Sequence, residues 1–190
     1  LQITKQTSKI VLHSVDLKSG SASLLSNYKS LKSRIKVDKT KETVTLNFTG
    51  NVKGNVKLTL DFSGELSDSL LGFYRSKYIE NGKEKYLATT QFEAPYARRA
   101  FPCFDEPELK ATFDVSMRIS KNLKAVSNMP VKEELDDGDV KIVKFQRTPR
   151  MSTYLLYLGV GDFEFLEERL GDVEIRFVSV PDKSHQGRLA

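Results

Sequence analysis

Gln91 and Glu93 stand two residues apart at the end of an apparent strand, where side chains at i and i+2 project from one face. An amide beside a carboxylate can receive a cationic amine, the carboxylate supplying charge and the amide a directed hydrogen bond. The bland alternative is an exposed polar strand face. Asp105 and Glu106 form a second acidic pair, but neighbours in an extended segment point to opposite sides and would not share a reaction centre. They are better read as partners of Arg98, Arg99 or backbone amides, holding a turn whose direction Pro102 and Pro107 restrict. Cys103 has no histidine near it in sequence to act as a base, which argues against a nucleophile. His13 and His185 are the only histidines and are read as strand or surface residues. With one cysteine, two histidines and no His-Glu-x-x-His pair, no conventional zinc site can be built from these 190 residues. The expectation is therefore no catalytic residue and no bound metal in this stretch.

The composition, 39% hydrophobic and 29% charged, is that of a globular chain long enough to bury a core. Its longest uncharged apolar run, Tyr154 to Val160, is too short for a bilayer, and the first residues lack the layout of a signal peptide. No membrane partner is expected. One cysteine excludes an internal disulfide framework and favours a reducing compartment, so the expected location is cytoplasmic. The net charge of +5 raises a nucleic-acid reading, centred on Lys32, Arg34 and Lys36 in the basic stretch from Lys29 to Lys41. That stretch carries no interleaved aromatic stacking platform. A solvated strand face that discourages edge-to-edge association accounts for it better, and no nucleic-acid partner is expected.

The elements that must position these residues read as strands almost throughout. Val44-Leu46-Phe48 and Val56-Leu58-Leu60-Phe62 alternate, and Gly50 to Asn55 between them predicts a turn joining them as a hairpin. Asn81-Gly82, Asp137-Gly138 and Gly171-Asp172 predict three more hairpins. No helical stripe of useful length appears. The fold class expected is all-β: an antiparallel β-sandwich or a saddle-shaped sheet, forming a single β domain over residues 1–190. Both ends look cut, with Leu1-Gln2-Ile3 starting in alternation and Ser184 to Ala190 stopping where a helix could begin, so a fragment is expected.

Thr-Gln-Phe-Glu-Ala at Thr90 to Ala94, Ala-Arg-Arg-Ala-Phe-Pro-Cys-Phe-Asp-Glu-Pro at Ala97 to Pro107, and Lys-Ala-Thr-Phe-Asp at Lys110 to Asp114 carry a further signal. Together with Ser127 to Pro130 and Arg147 to Leu155, they closely resemble the N-terminal domain of zinc aminopeptidases of the puromycin-sensitive and alanyl aminopeptidase type, the gluzincins. The likeness is firm from about Thr89 to Phe163 and diffuse before it. It implies a saddle-shaped β domain preceding a thermolysin-like catalytic domain that would hold the zinc and the general base, with additional strands ahead of Leu1. Tyr96 departs from the small or acidic residue usual in relatives.

By this resemblance, Gln91 lines the pocket for the first side chain of a peptide substrate and Glu93 binds its free α-amino group. Zinc in the missing domain would polarise the scissile carbonyl and activate water, while Glu93 confines release to the first residue. The implied partners are peptides with a free N-terminus and the catalytic domain of the same polypeptide; the stretch alone should be inactive. A competing reading is a non-catalytic β-sandwich interaction module from a relative that has lost its zinc site. Retention of both Gln91 and Glu93 favours the enzyme.

Overall fold

The computed structural model describes residues 1–26 and 29–189; Ala190, within the stretch where a helix could begin, lies outside the described residues. The chain is all-β, and among the described residues every pairing between its strands is antiparallel. Its short 3-10 segments are Ala97–Arg99, Thr153–Leu155 and Ser184–Leu189. Among the described residues no helix is long and apolar enough to cross a membrane.

Two compact units form. The first comprises Leu1–Glu65, Phe92–Leu109 and Ser152–Tyr154. It holds β1 (Gln2–His13), β2 (Lys18–Ser26), β3 (Lys29–Asp38), β4 (Thr43–Asn55) and β5 (Lys57–Ser63) in the order β1-β4-β3-β2-β5. Alternation in β4 turns Val44, Leu46, Phe48 and Val52 inward, where they meet Ile10, Leu12, Ala22 and Leu24. Leu24, Val44 and Leu46 are wholly buried, each worth roughly 1.5–3 kcal/mol of transfer free energy.

The hairpin expected across Gly50 to Asn55 does not form. β4 runs through that stretch with its inward alternation intact, and β5 pairs with β2 instead. The glycines serve a long strand that bends: the β1–β4 register shifts twice between Ile3 and Lys9, and Gly54 takes a φ of +88° as β4 ends. β3 is also not an edge. It lies between β4 and β2, so its basic residues solvate one sheet face rather than guard a free edge; Lys32, Arg34 and Lys36 are exposed, while Leu31 and Ile35 pack against the core.

The second unit comprises Leu66–Gln91, Lys110–Met151 and Leu155–Ala190, of which the last residue is not described. Its strands are β6 (Gly72–Glu80), β7 (Lys83–Gln91), β8 (Ser116–Ser120), β9 (Lys124–Ser127), β10 (Val131–Asp137), β11 (Val140–Phe145), β12 (Leu158–Gly161), β13 (Glu164–Leu170) and β14 (Val173–Ser179). They form sheets β6-β7-β12-β9 and β10-β11-β8 and the ribbon β13-β14. All three expected hairpins are present, pairing Glu80 with Lys83, Asp137 with Val140 and Leu170 with Val173. Asn81 and Gly82 have φ of 50° and 74°, the double left-handed conformation that matches the twist of a two-residue hairpin. Val143 and Phe145 from β11, with Ile119 and Ala125, make this unit's small core.

Truncation of Leu46 separates core from surface in the first unit. Leu46→Ala should lower unfolding free energy by about 2–5 kcal/mol, whereas Val37→Ala, at a side chain 49% exposed, should cost under about 1 kcal/mol. Urea unfolding of both variants measures the difference.

Candidate functional site

β7 ends at Gln91, Phe92 leaves the strand, and Glu93 opens a turn that leads into the 3-10 segment Ala97–Arg99. The peptide between Glu93 and Ala94 is cis. Phe92 is 1% exposed while Gln91 and Glu93 on either side of it are exposed, so the strand's alternation persists one step beyond its last paired residue. Two contacts fix Phe92. Its ring meets the edge of Phe101 with centroids 5.9 Å apart at 75°, and its carbonyl accepts the Tyr96 amide at 2.9 Å.

The loop that follows is braced from inside the first unit. Asp105, with a side chain 1% exposed, accepts the backbone N–H of Arg98 at 3.2 Å and its Nε at 3.0 Å, and the Thr153 hydroxyl donates to its other oxygen at 2.7 Å. Arg98 Nη1 donates to Glu42 at 2.9 Å. Burial works against the guanidinium charge, but the hydrogen bonds to Asp105 and Glu42 outweigh it and raise the Arg98 pKa. Glu106, by contrast, is exposed, as opposite projection of neighbours requires. Arg99 turns away to Asp16 at 2.9 Å.

β1 is tied into the same brace. The His13 amide donates to the Cys103 carbonyl at 2.8 Å, the Cys103 amide returns a bond at 3.1 Å, and the Asp105 amide donates to His13 Nδ1 at 3.2 Å. A cysteine, a histidine and an aspartate thus meet, although 90 residues of chain separate His13 from Cys103. This is not a nucleophile's setting. Burial first, and the nearby Asp105 charge second, push the Cys103 thiol up to about 12, with Arg98 only partly opposing. His13 was legible as a strand residue; its place beside Cys103, and the contributions of Glu42 and Thr153, carry no local sequence signal.

Among the described residues no three His, Cys, Asp or Glu side chains gather so as to hold a metal ion. His185 is exposed, within the Ser184–Leu189 segment.

A family model described as the Peptidase M1 N-terminal domain matches residues 1–155. The chain is 40% identical over 197 aligned positions to "Aminopeptidase M1" of Arabidopsis thaliana, covering 100% of this chain and 22% of that protein. It is 49% identical over 139 positions to "Puromycin-sensitive aminopeptidase" of Caenorhabditis elegans, covering 71% and 15%, respectively. It is 41% identical over 192 positions to "Aminopeptidase 2" of Candida albicans, covering 100% and 20%. The chain therefore spans about a fifth of the length of these curated relatives.

Two substitutions probe the brace. Asp105→Ala leaves Arg98 and Thr153 facing an uncompensated site and should destabilise the protein by about 3–5 kcal/mol in chemical unfolding. Cys103→Ala tests the buried thiol. Below about pH 9 the thiol is protonated in both states; above it the unfolded thiol ionises while the folded one resists to about 12, so its contribution is lost as pH rises across that interval. Unfolding midpoints measured across it should fall less steeply for Cys103→Ala than for the native protein.

Proposed function

The chain belongs to the Peptidase M1 N-terminal domain family, and on that premise we propose that it is the substrate-anchoring part of a zinc-dependent aminopeptidase. In this reading Glu93 binds the free α-amino group of a peptide and Gln91 lines the pocket for its first side chain. The observation that carries it is the Gln-Phe-Glu triplet itself, with a buried phenylalanine between two exposed polar side chains of complementary chemistry.

A carboxylate meeting an ammonium group gains both Coulomb attraction and charge-assisted hydrogen bonding, whereas a blocked N-terminus offers neither a formal charge nor the same donors. An amide beside it adds directed bonds without adding charge. Anchoring at the amine fixes how far the substrate extends toward the reacting centre, which is how a binding residue confines release to the first residue. Zinc supplies Lewis-acid chemistry in such an enzyme. Among the described residues no three His, Cys, Asp or Glu side chains cluster to hold it, and in this reading its ligands belong to another part of the intact enzyme. A lone free cysteine, buried in the brace, suits a cytoplasmic location.

The test uses the intact enzyme and aminoacyl reporter substrates. Loss of a charged hydrogen-bond partner is worth about 1.5–3 kcal/mol, so Glu93→Ala should lower kcat/KM for unblocked substrates by about 10- to 100-fold. Substrates with blocked N-termini, which do not engage the carboxylate, should show no comparable loss. Unchanged kinetics on unblocked substrates would refute the anchoring role.

A further inference from the structure

Tyr157 stands beside the end of β7. β12 pairs with β7 antiparallel at Val160 and Ala88, and continuing that register sets Gly159 across from Thr89 and Tyr157 across from Gln91. Two side-chain links agree with it. The Leu158 amide donates to the Thr90 hydroxyl at 3.0 Å, and the Thr89 hydroxyl donates to that of Tyr157 at 3.1 Å. Thr89 and Gln91, two residues apart on β7, share a face, so the Tyr157 side chain lies on the face that carries Gln91.

The ring lies along its own strand. A methyl group at Gly159 would meet the Tyr157 hydroxyl oxygen at 2.8 Å and two of its ring carbons at 3.1 and 3.2 Å. Gly159 takes no left-handed φ, so what its bare Cα supplies is room for the ring. The end of β9 fixes the Tyr157 backbone from the other side: Asn128 Oδ1 accepts its amide at 2.7 Å, and the Ser127 hydroxyl donates to its carbonyl at 2.8 Å. Tyr157 is nonetheless 37% exposed. An aromatic side chain held at its backbone and at its hydroxyl thus keeps surface uncovered next to Gln91.

Gln91, Thr89 and Tyr157 carry no formal charge, and the phenol adds apolar area with a definite plane. A large apolar side chain laid against that plane removes much surface from water, whereas a methyl group removes little. We propose that Tyr157 is a specificity-determining residue whose ring forms an apolar wall of the first-side-chain pocket. The intact enzyme accordingly favours peptides whose first side chain is aromatic or large and apolar. This rests on the reading of Gln91 as a residue of that pocket.

The test uses the intact enzyme with phenylalanyl and alanyl reporter substrates that share one leaving group. Tyr157→Ala should lower kcat/KM for the phenylalanyl reporter at least about tenfold more than for the alanyl one. Tyr157→Phe, which keeps the ring and loses only the hydroxyl, should restore the ratio. An unchanged ratio in Tyr157→Ala overturns the proposal, including one in which both reporters lose equally, the mark of a merely structural role. A ratio that Tyr157→Phe fails to restore also overturns it. Glu93→Ala acts on both reporters through the amine they share, so a failure of amine anchoring shows there, while the ratio reports on Tyr157 alone. Nitration of the native enzyme with tetranitromethane, mapped by mass spectrometry, gives a readout that needs no variant. Saturating phenylalaninol should slow nitration at Tyr157 more than saturating alaninol does. Equal rates with the two, or a Tyr157 that does not nitrate in the free enzyme, overturn the proposal.

Discussion

The first unit depends on one buried carboxylate. Asp105 has almost no exposed side-chain surface, so its charge must be met inside the protein, and Arg98 and Thr153 meet it from two separate segments. The same loop is tied to β1 through the Cys103 and His13 backbones, and Val15 donates to the Arg98 carbonyl at 2.9 Å. A stretch rich in proline, phenylalanine and charge, with little regular structure of its own, is thereby held in a single path. Buried ion pairs often add little net stability because desolvation offsets attraction. Their consequence here is specificity: removing either partner strands the other in a low-dielectric site, so alternative loop paths are strongly disfavoured.

Burial also divides the acidic residues by role. Asp105 is enclosed and accepts three hydrogen bonds from this chain's own donors, so burial rather than exposure to an incoming cation sets its role. Glu106 is exposed but points away from Asp105, so the two do not form an acid–base couple. Glu93 is exposed beside a buried aromatic residue, which is the setting of the proposed amine contact. Cys103 shows the same logic from the other direction. Proximity to a histidine does not make a nucleophile when burial and a neighbouring carboxylate both oppose the thiolate.

Local signals were legible where local chemistry decides the outcome. Asn81-Gly82 and Gly171-Asp172 needed only left-handed backbone preference and flanking alternation, and each connects the strands expected of it. Gly50 to Asn55 misleads because glycine serves turns and bent strands alike. The inward positions Val44, Leu46, Phe48 and Val52 keep one parity across that stretch, and this was the stronger signal. The Arg98–Asp105 pairing was within reach because seven residues separate the partners. Glu42, His13 and Thr153 come from 56, 92 and 48 residues away from the residues they bond, and only the folded topology brings them in. The interior position of β3 was hidden for the same reason: burial alternation reports a face, not the order of strands in a sheet.

The location of Gln91 and Glu93 next to Phe92 has a consequence for binding. A side chain on a mobile loop must be ordered when its ligand arrives, at a cost of about 0.5–1.5 kcal/mol for each rotamer-rich group, in addition to any backbone ordering. Phe92 is buried, stacked edge-on against Phe101 and hydrogen-bonded through its carbonyl, so the backbone on either side of it is already fixed. In the proposed reading, the rigidity that the Glu93 carboxylate needs is thus supplied by an apolar residue, Phe92. In that reading, weakening the Phe92–Phe101 contact weakens amine recognition without removing a single polar group, because the carboxylate then has to be ordered by the substrate itself.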